Sequence, residues 1–167
     1  LKSYFAAIED AQAALTWIAE NGKEYGLVND QAVLWGTSAG AITALNLAYG
    51  SDELDLEPAL TIKGVVNYWG SLASAFQIKP NDPPVLITHG EKDRVVDFAR
   101  SLELIKKAQA AGVKTEFFPV PGVKHGTPVS REYQGTSILM ETLNFVERAT
   151  NVPDAIWAAC YSGKVSL

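Results

Sequence analysis

Four short apolar runs, at residues 31–35 (QAVLW), 62–69 (IKGVVNYW), 84–89 (PVLITH) and 114–120 (KTEFFPV), punctuate a chain whose other segments carry helical patterning. Runs of this length with little polar alternation read as strands buried on both faces, and such strands need helices above and below them. The intervening segments supply those helices. Residues 3–21 place Phe5, Ile8, Ala11, Leu15 and Ile18 on one helical face, and residues 39–49 are rich in Ala and Leu. Residues 96–111 set Phe98, Leu102, Ile105 and Ala108 on one side and close at Gly112, while residues 136–149 use Leu139, Leu143 and Val146. The expectation is an α/β chain with a mostly parallel sheet and helices on both faces.

Composition enters as exclusion. The 167 residues are 47% hydrophobic and 20% charged, the profile of a chain able to bury one core. The formal net charge is −5, and Lys106-Lys107 is the only adjacent basic pair, so no clustered basic face is available for nucleic acid. No apolar run approaches the roughly 20 residues of a membrane-spanning helix. The single cysteine, Cys160, allows no disulfide within these residues and reads as a packed thiol, the alternative being a bridge to a partner or to a segment outside them. One Cys and two His at unrelated spacings make no four-ligand zinc set, and no metal or organic cofactor is expected. The compartment is not legible in these residues.

The first strand runs directly into Gly36-Thr37-Ser38-Ala39-Gly40 and then into a helix. The pattern G-x-S-x-G occurs by chance in about one chain in twenty of this length, so the strand–turn–helix setting is what gives it weight. A serine on such a turn projects its hydroxyl from the carboxyl edge of the sheet. Gly36 and Gly40 are expected to avoid clashes where helix and strand converge. The helix N-terminus beneath favours developing negative charge, with the Ala39 N–H aimed at an oxyanion.

A serine nucleophile needs a base, and the base an orienting acid. Of the two histidines, His89 closes an apolar strand and is expected to pack or hydrogen-bond there. His125, in the loop Pro121-Gly122-Val123-Lys124-His125-Gly126 past the last strand, reaches the same edge as Ser38. Asp93, in the loop after strand 84–89, is the preferred acid over Glu91 and over Asp97, which falls where a carboxylate complements a helix dipole. The order Ser38, Asp93, His125, each after its own strand, is the nucleophile–acid–histidine order of α/β hydrolases.

These residues, together with the helix carrying DAQAAL and Trp17, GTSAGAITALNLAY, NDPPVLITHGEKDRVV and GVKHG, resemble the C-terminal half of an α/β hydrolase of the carboxylesterase/lipase type. The resemblance covers nearly all of residues 1–167, read as a single partial domain. It implies that the four strands are the last of the family's sheet. The preceding strands, and the loop that supplies a second oxyanion N–H, have no counterpart upstream of Ser38. The sheet is therefore expected to be incomplete on its N-terminal side, leaving strand 31–35 with an open edge. The N-terminal half of the same protein would complete it, or a second copy of the chain.

The implied activity is cleavage of carboxylic esters by Ser38, Asp93 and His125 through an acyl-enzyme, weak or absent in residues 1–167 alone for want of the second oxyanion donor. The segment Gly70–Pro83 is too short for a large lid, which favours small or accessible esters. Trp69, Ser71, Leu72 and Phe76 are candidates for the pocket mouth, though packing is the commoner role for such residues, and Trp35 is assigned to the core. A prolyl-oligopeptidase-like peptidase and an acetyl or feruloyl esterase acting on polysaccharide would use the same three residues. A non-catalytic binding module that kept the fold is the remaining alternative.

Overall fold

A computed structural model describes residues 2–73 and 75–151; Cys160 lies outside the described residues. The elements in order are α1 (Lys2–Asn21), a 3-10 turn (Gly22–Tyr25), β1 (Gln31–Thr37), α2 (Ala39–Gly50), β2 (Thr61–Tyr68), β3 (Val85–Gly90) and α3 (Ala99–Ala110). They are followed by β4 (Thr115–Val120), β5 (Glu132–Tyr133), β6 (Thr136–Ser137) and α4 (Ile138–Thr150). Strands β1 to β4 form one parallel sheet in sequence order. Their carboxyl ends therefore all open on the same rim.

The central strands justify the expectation of burial on both faces. Val65, Val85 and Ile87 pack with Leu45 and Tyr49 of α2 and Leu104 of α3. Their neighbours Val66, Tyr68 and Leu86 face the other way, against Ile138 and Phe145 of α4. Helix α1 lies over α2, where Ile8 and Leu15 meet Leu47 and Leu60. Burying one such aliphatic side chain stabilises the fold by about 1.5–3 kcal/mol.

Some sequence assignments shift. Trp35, expected in the core, is 44% exposed. Among the described residues β1 pairs only with β2, so the Trp35 ring packs edge-on against Tyr68 at 5.6 Å and is covered on one side alone. In α3 the buried face runs through Ser101, Leu104 and Ala108, leaving Leu102 49% exposed. In α4 the buried stripe is Ile138, Thr142 and Phe145, with Leu139, Leu143 and Val146 only half buried. Both helices put a hydroxyl inside, and each hydroxyl is bonded: Ser101 to His89, and Thr142 to Tyr68 and to the Ile138 carbonyl. Apolar periodicity could not have anticipated that.

The β5–β6 hairpin was unforeseen. It closes through Gln134 and Gly135, both at positive φ (52° and 89°), the geometry of a tight hairpin turn. It delivers Ser137, whose hydroxyl accepts from the Met140 N–H and starts α4 two residues later than the apolar pattern suggested.

Candidate active site

Ser38 sits between β1 and α2 at φ 50°, ψ −118°, a backbone conformation that a residue with a Cβ rarely adopts. Such strain costs about 1–3 kcal/mol and persists only where the surroundings impose it. Here the Ser38 N–H donates to the Tyr68 carbonyl at 2.9 Å, and the Ser38 carbonyl accepts from the Ile42 N–H at 3.0 Å. Gly36 makes the turn possible, because a Cβ there would lie 2.2 Å from the Gly40 carbonyl carbon. Gly40 has a different status from the one expected: a Cβ at that position would meet nothing within 4 Å. Only the first of the two motif glycines is sterically required.

His125 is carried on the loop after β4, flanked by Gly122 and Gly126 at φ 75° and 86°. That loop is pressed against the end of β3, where the Lys92 N–H donates to the Val123 carbonyl at 2.8 Å. The three side chains singled out in the sequence come together at this rim. Ser38 Oγ lies 2.9 Å from His125 Nε2, and His125 Nδ1 lies 2.7 Å from Asp93 Oδ2. The imidazole is 25% exposed and the carboxylate fully buried.

Asp93 is also held from its other side. Its Oδ1 accepts from the Val95 N–H at 2.8 Å and the Val96 N–H at 3.1 Å, and this local bonding delays the start of α3 to Ala99. Burial pushes the carboxyl toward its neutral form. The hydrogen bonds from His125, Val95 and Val96 outweigh that and hold its pKa below the ordinary carboxylate value. The rivals play other parts. Asp97 accepts from the Ala99 N–H at 2.9 Å, at the start of α3, and neither it nor Glu91 bonds to His125.

His89 bonds at the strand end, as expected, but in a place the sequence did not reveal. Its Nε2 lies 3.1 Å from Asp93 Oδ2 and 3.0 Å from the Val96 carbonyl oxygen, and its Nδ1 lies 2.7 Å from Ser101 Oγ. Burial holds its pKa below the usual histidine value, against the smaller opposing pull of Val96 and Asp93. The four-residue separation of His89 and Asp93 across a tight loop was the one available sign.

Ala39 opens α2, so its N–H belongs to the first turn, where helix amides lack intrahelical acceptors. Trp69 follows β2 at φ 46°, with its N–H donating to the Thr88 carbonyl at 2.8 Å. Its ring packs edge-on toward His125, centroids 6.4 Å apart, so it lies at the site. Ser71 is half buried, its carbonyl accepting from Asn46 Nδ2 at 3.3 Å. Leu72 and Phe76 do not line the site; both are buried in the core against α2. The reason is local. Asn46 Oδ1 accepts from the Ala73 N–H at 2.8 Å, drawing the segment down along α2, where the Phe76 ring fills the space left by Gly50.

Beside His125 opens a cleft of about 980 Å³ whose lining includes Glu91, Lys92, Arg94, Asp97 and Lys124. Among the described residues no His/Cys/Asp/Glu cluster could hold a metal ion, and no helix is long and apolar enough to cross a membrane.

A parallel sheet with Ser38, Asp93 and His125 gathered on loops beyond one rim, the serine strained at a strand-to-helix turn, is the arrangement of the α/β hydrolases. The chain is one of them. It belongs to the prolyl oligopeptidase family, whose model matches residues 61–152. The BD-FAE family model matches residues 2–72.

The human alpha/beta hydrolase domain-containing protein 17B is 30% identical over 118 residues, a match covering 65% of this chain and 39% of that protein. The counterpart of the same name in Xenopus laevis matches to the same extent. The match thus spans well under half the length of these curated relatives. Among solved structures, MGS-M1, an alpha/beta hydrolase enzyme from a deep-sea metagenome library, superposes with a TM-score of 0.70 at 16% identity. That match covers 87% of this chain and 65% of the other. A truncated carbohydrate esterase from gut microbiota gives a TM-score of 0.66 at 21% identity, covering 86% of this chain and 68% of the other. The propionate-bound esterase Est2 of Thermogutta terrifontis gives 0.63 at 18%, covering 84% and 62%. At these identities the likeness is one of fold.

Proposed function

We propose that residues 1–167 form part of one catalytic domain, a serine hydrolase cleaving carboxylic esters through an acyl-enzyme. The observation that carries this reading is the line from Ser38 Oγ to His125 Nε2 at 2.9 Å and from His125 Nδ1 to Asp93 Oδ2 at 2.7 Å. The turn at Ser38 acts as a nucleophile elbow. His125 takes the serine proton as Oγ attacks the ester carbonyl, and Asp93 holds the imidazole and stabilises its charged form. The Ala39 N–H donates to the tetrahedral oxyanion. Collapse expels the alcohol, protonated by His125, and water then repeats the sequence on the acyl-enzyme.

On the substrate side, the short connection over residues 70–83 leaves no room for a large lid, which favours small or accessible esters. The Trp69 ring, edge-on to His125, is the pocket-mouth candidate that adjoins the three side chains. Esterases among the solved structures of like fold, one acting on carbohydrate, agree with this reading. Peptide hydrolysis is the second reading, favoured by the prolyl oligopeptidase family match over residues 61–152.

The test uses the full-length protein. Turnover of p-nitrophenyl acetate, with none of a dipeptide p-nitroanilide, supports the esterase, and the reverse supports the peptidase. Ser38→Ala is expected to abolish turnover and fluorophosphonate labelling together. Labelling that survives the substitution removes Ser38 from its role, and a full-length protein that neither labels nor turns over either substrate is a binding module.

A further inference from the structure

His89 is buried beside the proposed proton path without lying on it. Its partners decide its protonation. Nε2 faces two acceptors, Asp93 Oδ2 at 3.1 Å and the Val96 carbonyl at 3.0 Å, so the proton must sit there. Nδ1 then carries a lone pair and accepts from the Ser101 hydroxyl at 2.7 Å. The imidazole is wholly buried, with the Phe98 ring edge-on at 5.7 Å.

We infer that His89 is a positioning residue of the hydrolytic site, a neutral imidazole fixed by Ser101 as the Nε2–H tautomer that donates to Asp93 Oδ2 and aims that oxygen at His125. This rests on the reading of Ser38, Asp93 and His125 as the reacting group. With His89 included, the carboxylate accepts from four donors: His125 and His89 on Oδ2, Val95 and Val96 on Oδ1. Four donors fill its lone-pair sites and leave it no freedom to rotate. One of the four is anchored by α3, which otherwise contributes nothing to the site.

A functional consequence separates this role from packing. The bond from His89 is strongest when Asp93 faces neutral His125, because imidazolium already offsets part of the carboxylate charge. His89 thus favours the state of His125 able to accept the serine proton. Asp93 and His125 are the titratable groups facing His89; Ser101, the Val96 carbonyl and Phe98 do not titrate.

The experiment is carried out on the full-length protein. His89→Leu is expected to move the ascending limb of the kcat/KM–pH profile to higher pH by about half a unit or more. It is also expected to lower kcat/KM about tenfold near neutrality. Ser101→Ala, milder for folding, shifts the limb the same way, and His89→Gln, whose amide keeps a donor for Asp93, restores most of it. Ring ¹⁵N spectra of histidine-labelled Ser38→Ala protein need no turnover, and the His89 signal is assigned as the one lost in the Ser38→Ala/His89→Leu double variant. They are expected to show the His89 ring as a neutral Nε2–H imidazole that stays uncharged across the pH range of the ascending limb.

An Nδ1–H tautomer or a charged His89 overturns the inference, as does a wild-type limb in the Leu and Ala variants. So does a Gln variant no better than Leu. Loss of the hydrolase reading has a separate signature: Ser38 fails to label while the tautomer is still found.

Discussion

Gly90, the last residue of β3, lies so close to Lys124 that a Cβ on it would come within 2.5 Å of the Lys124 carbonyl oxygen. The same Cβ would lie 2.5 Å from the Val123 carbonyl oxygen. The spacing between the loop carrying Asp93 and the loop carrying His125 is set by this contact. Backbone, unlike a flexible side-chain tip, cannot give way cheaply. Gly90→Ala is therefore expected to force the loops apart and lower kcat/KM by about 100-fold, the order associated with a 1 Å misplacement. Ester hydrolysis by the full-length variant, with circular dichroism to establish that it is folded, checks this.

The two glycines around Ser38 make a matched pair. A Cβ at Gly36 would collide with the Gly40 backbone at 2.2 Å, whereas one at Gly40 meets open space. Gly36→Ala should destabilise by at least about 1–3 kcal/mol, as overpacking does. Gly40→Ala, in the first turn of α2, should be neutral or stabilising by up to about 1 kcal/mol. Denaturant unfolding of both variants measures the difference, and equal losses would refute the distinction.

Trp69 combines a strained backbone with a useful ring. At φ 46° glycine is preferred over any residue with a Cβ. Truncation to Ala and to Gly removes the same contacts with Tyr68 and His125, so the pair isolates the backbone term. Trp69→Gly should be more stable than Trp69→Ala by about 1 kcal/mol, while both lose activity relative to wild type. Unfolding midpoints and kcat/KM supply the two readouts.

Phe76 tests the division between core and site. Its ring is buried on Gly50, so Phe76→Ala should cost about 3–5 kcal/mol of stability. KM for a small ester should be unchanged below the melting temperature, because Phe76 lies away from the rim. A raised KM would return Phe76 to the pocket.

Acid should unfold this protein from two buried groups. His89, its pKa held below the ordinary 6.5, binds fewer protons folded than unfolded as pH falls below that value. Asp93, held below the ordinary 3.8, does the same at lower pH. Both contributions are complete near neutrality and are lost on acidification, His89 first and Asp93 below about pH 4. Thermal melts of wild type and His89→Gln between pH 7 and 4 read the first loss directly. The variant's melting temperature should fall less over that range.

The sequence by itself determined the layered α/β architecture, because runs such as VVNYW and VLITH have no polar face to offer water and must be covered on both sides. It also singled out the three side chains that meet at the rim, since a serine between strand and helix, an acid and a glycine-flanked histidine each follow a different strand. What only the tertiary structure decided are the relations that depend on which atoms meet across the sheet. Periodicity ranks positions by side-chain polarity, so it chose Leu102 over Ser101 for the inside of α3; His89 reverses that ranking by supplying the hydroxyl with a partner. Likewise Trp35 is apolar enough for a core, and only the place of β1 at the edge of the described sheet leaves it half in water. Phe76 is apolar enough for a core or a pocket mouth, and only the bond from Ala73 to Asn46, drawing its segment down along α2, decides for the core. Burial is a property of neighbours, and neighbours far apart in the chain are fixed by packing.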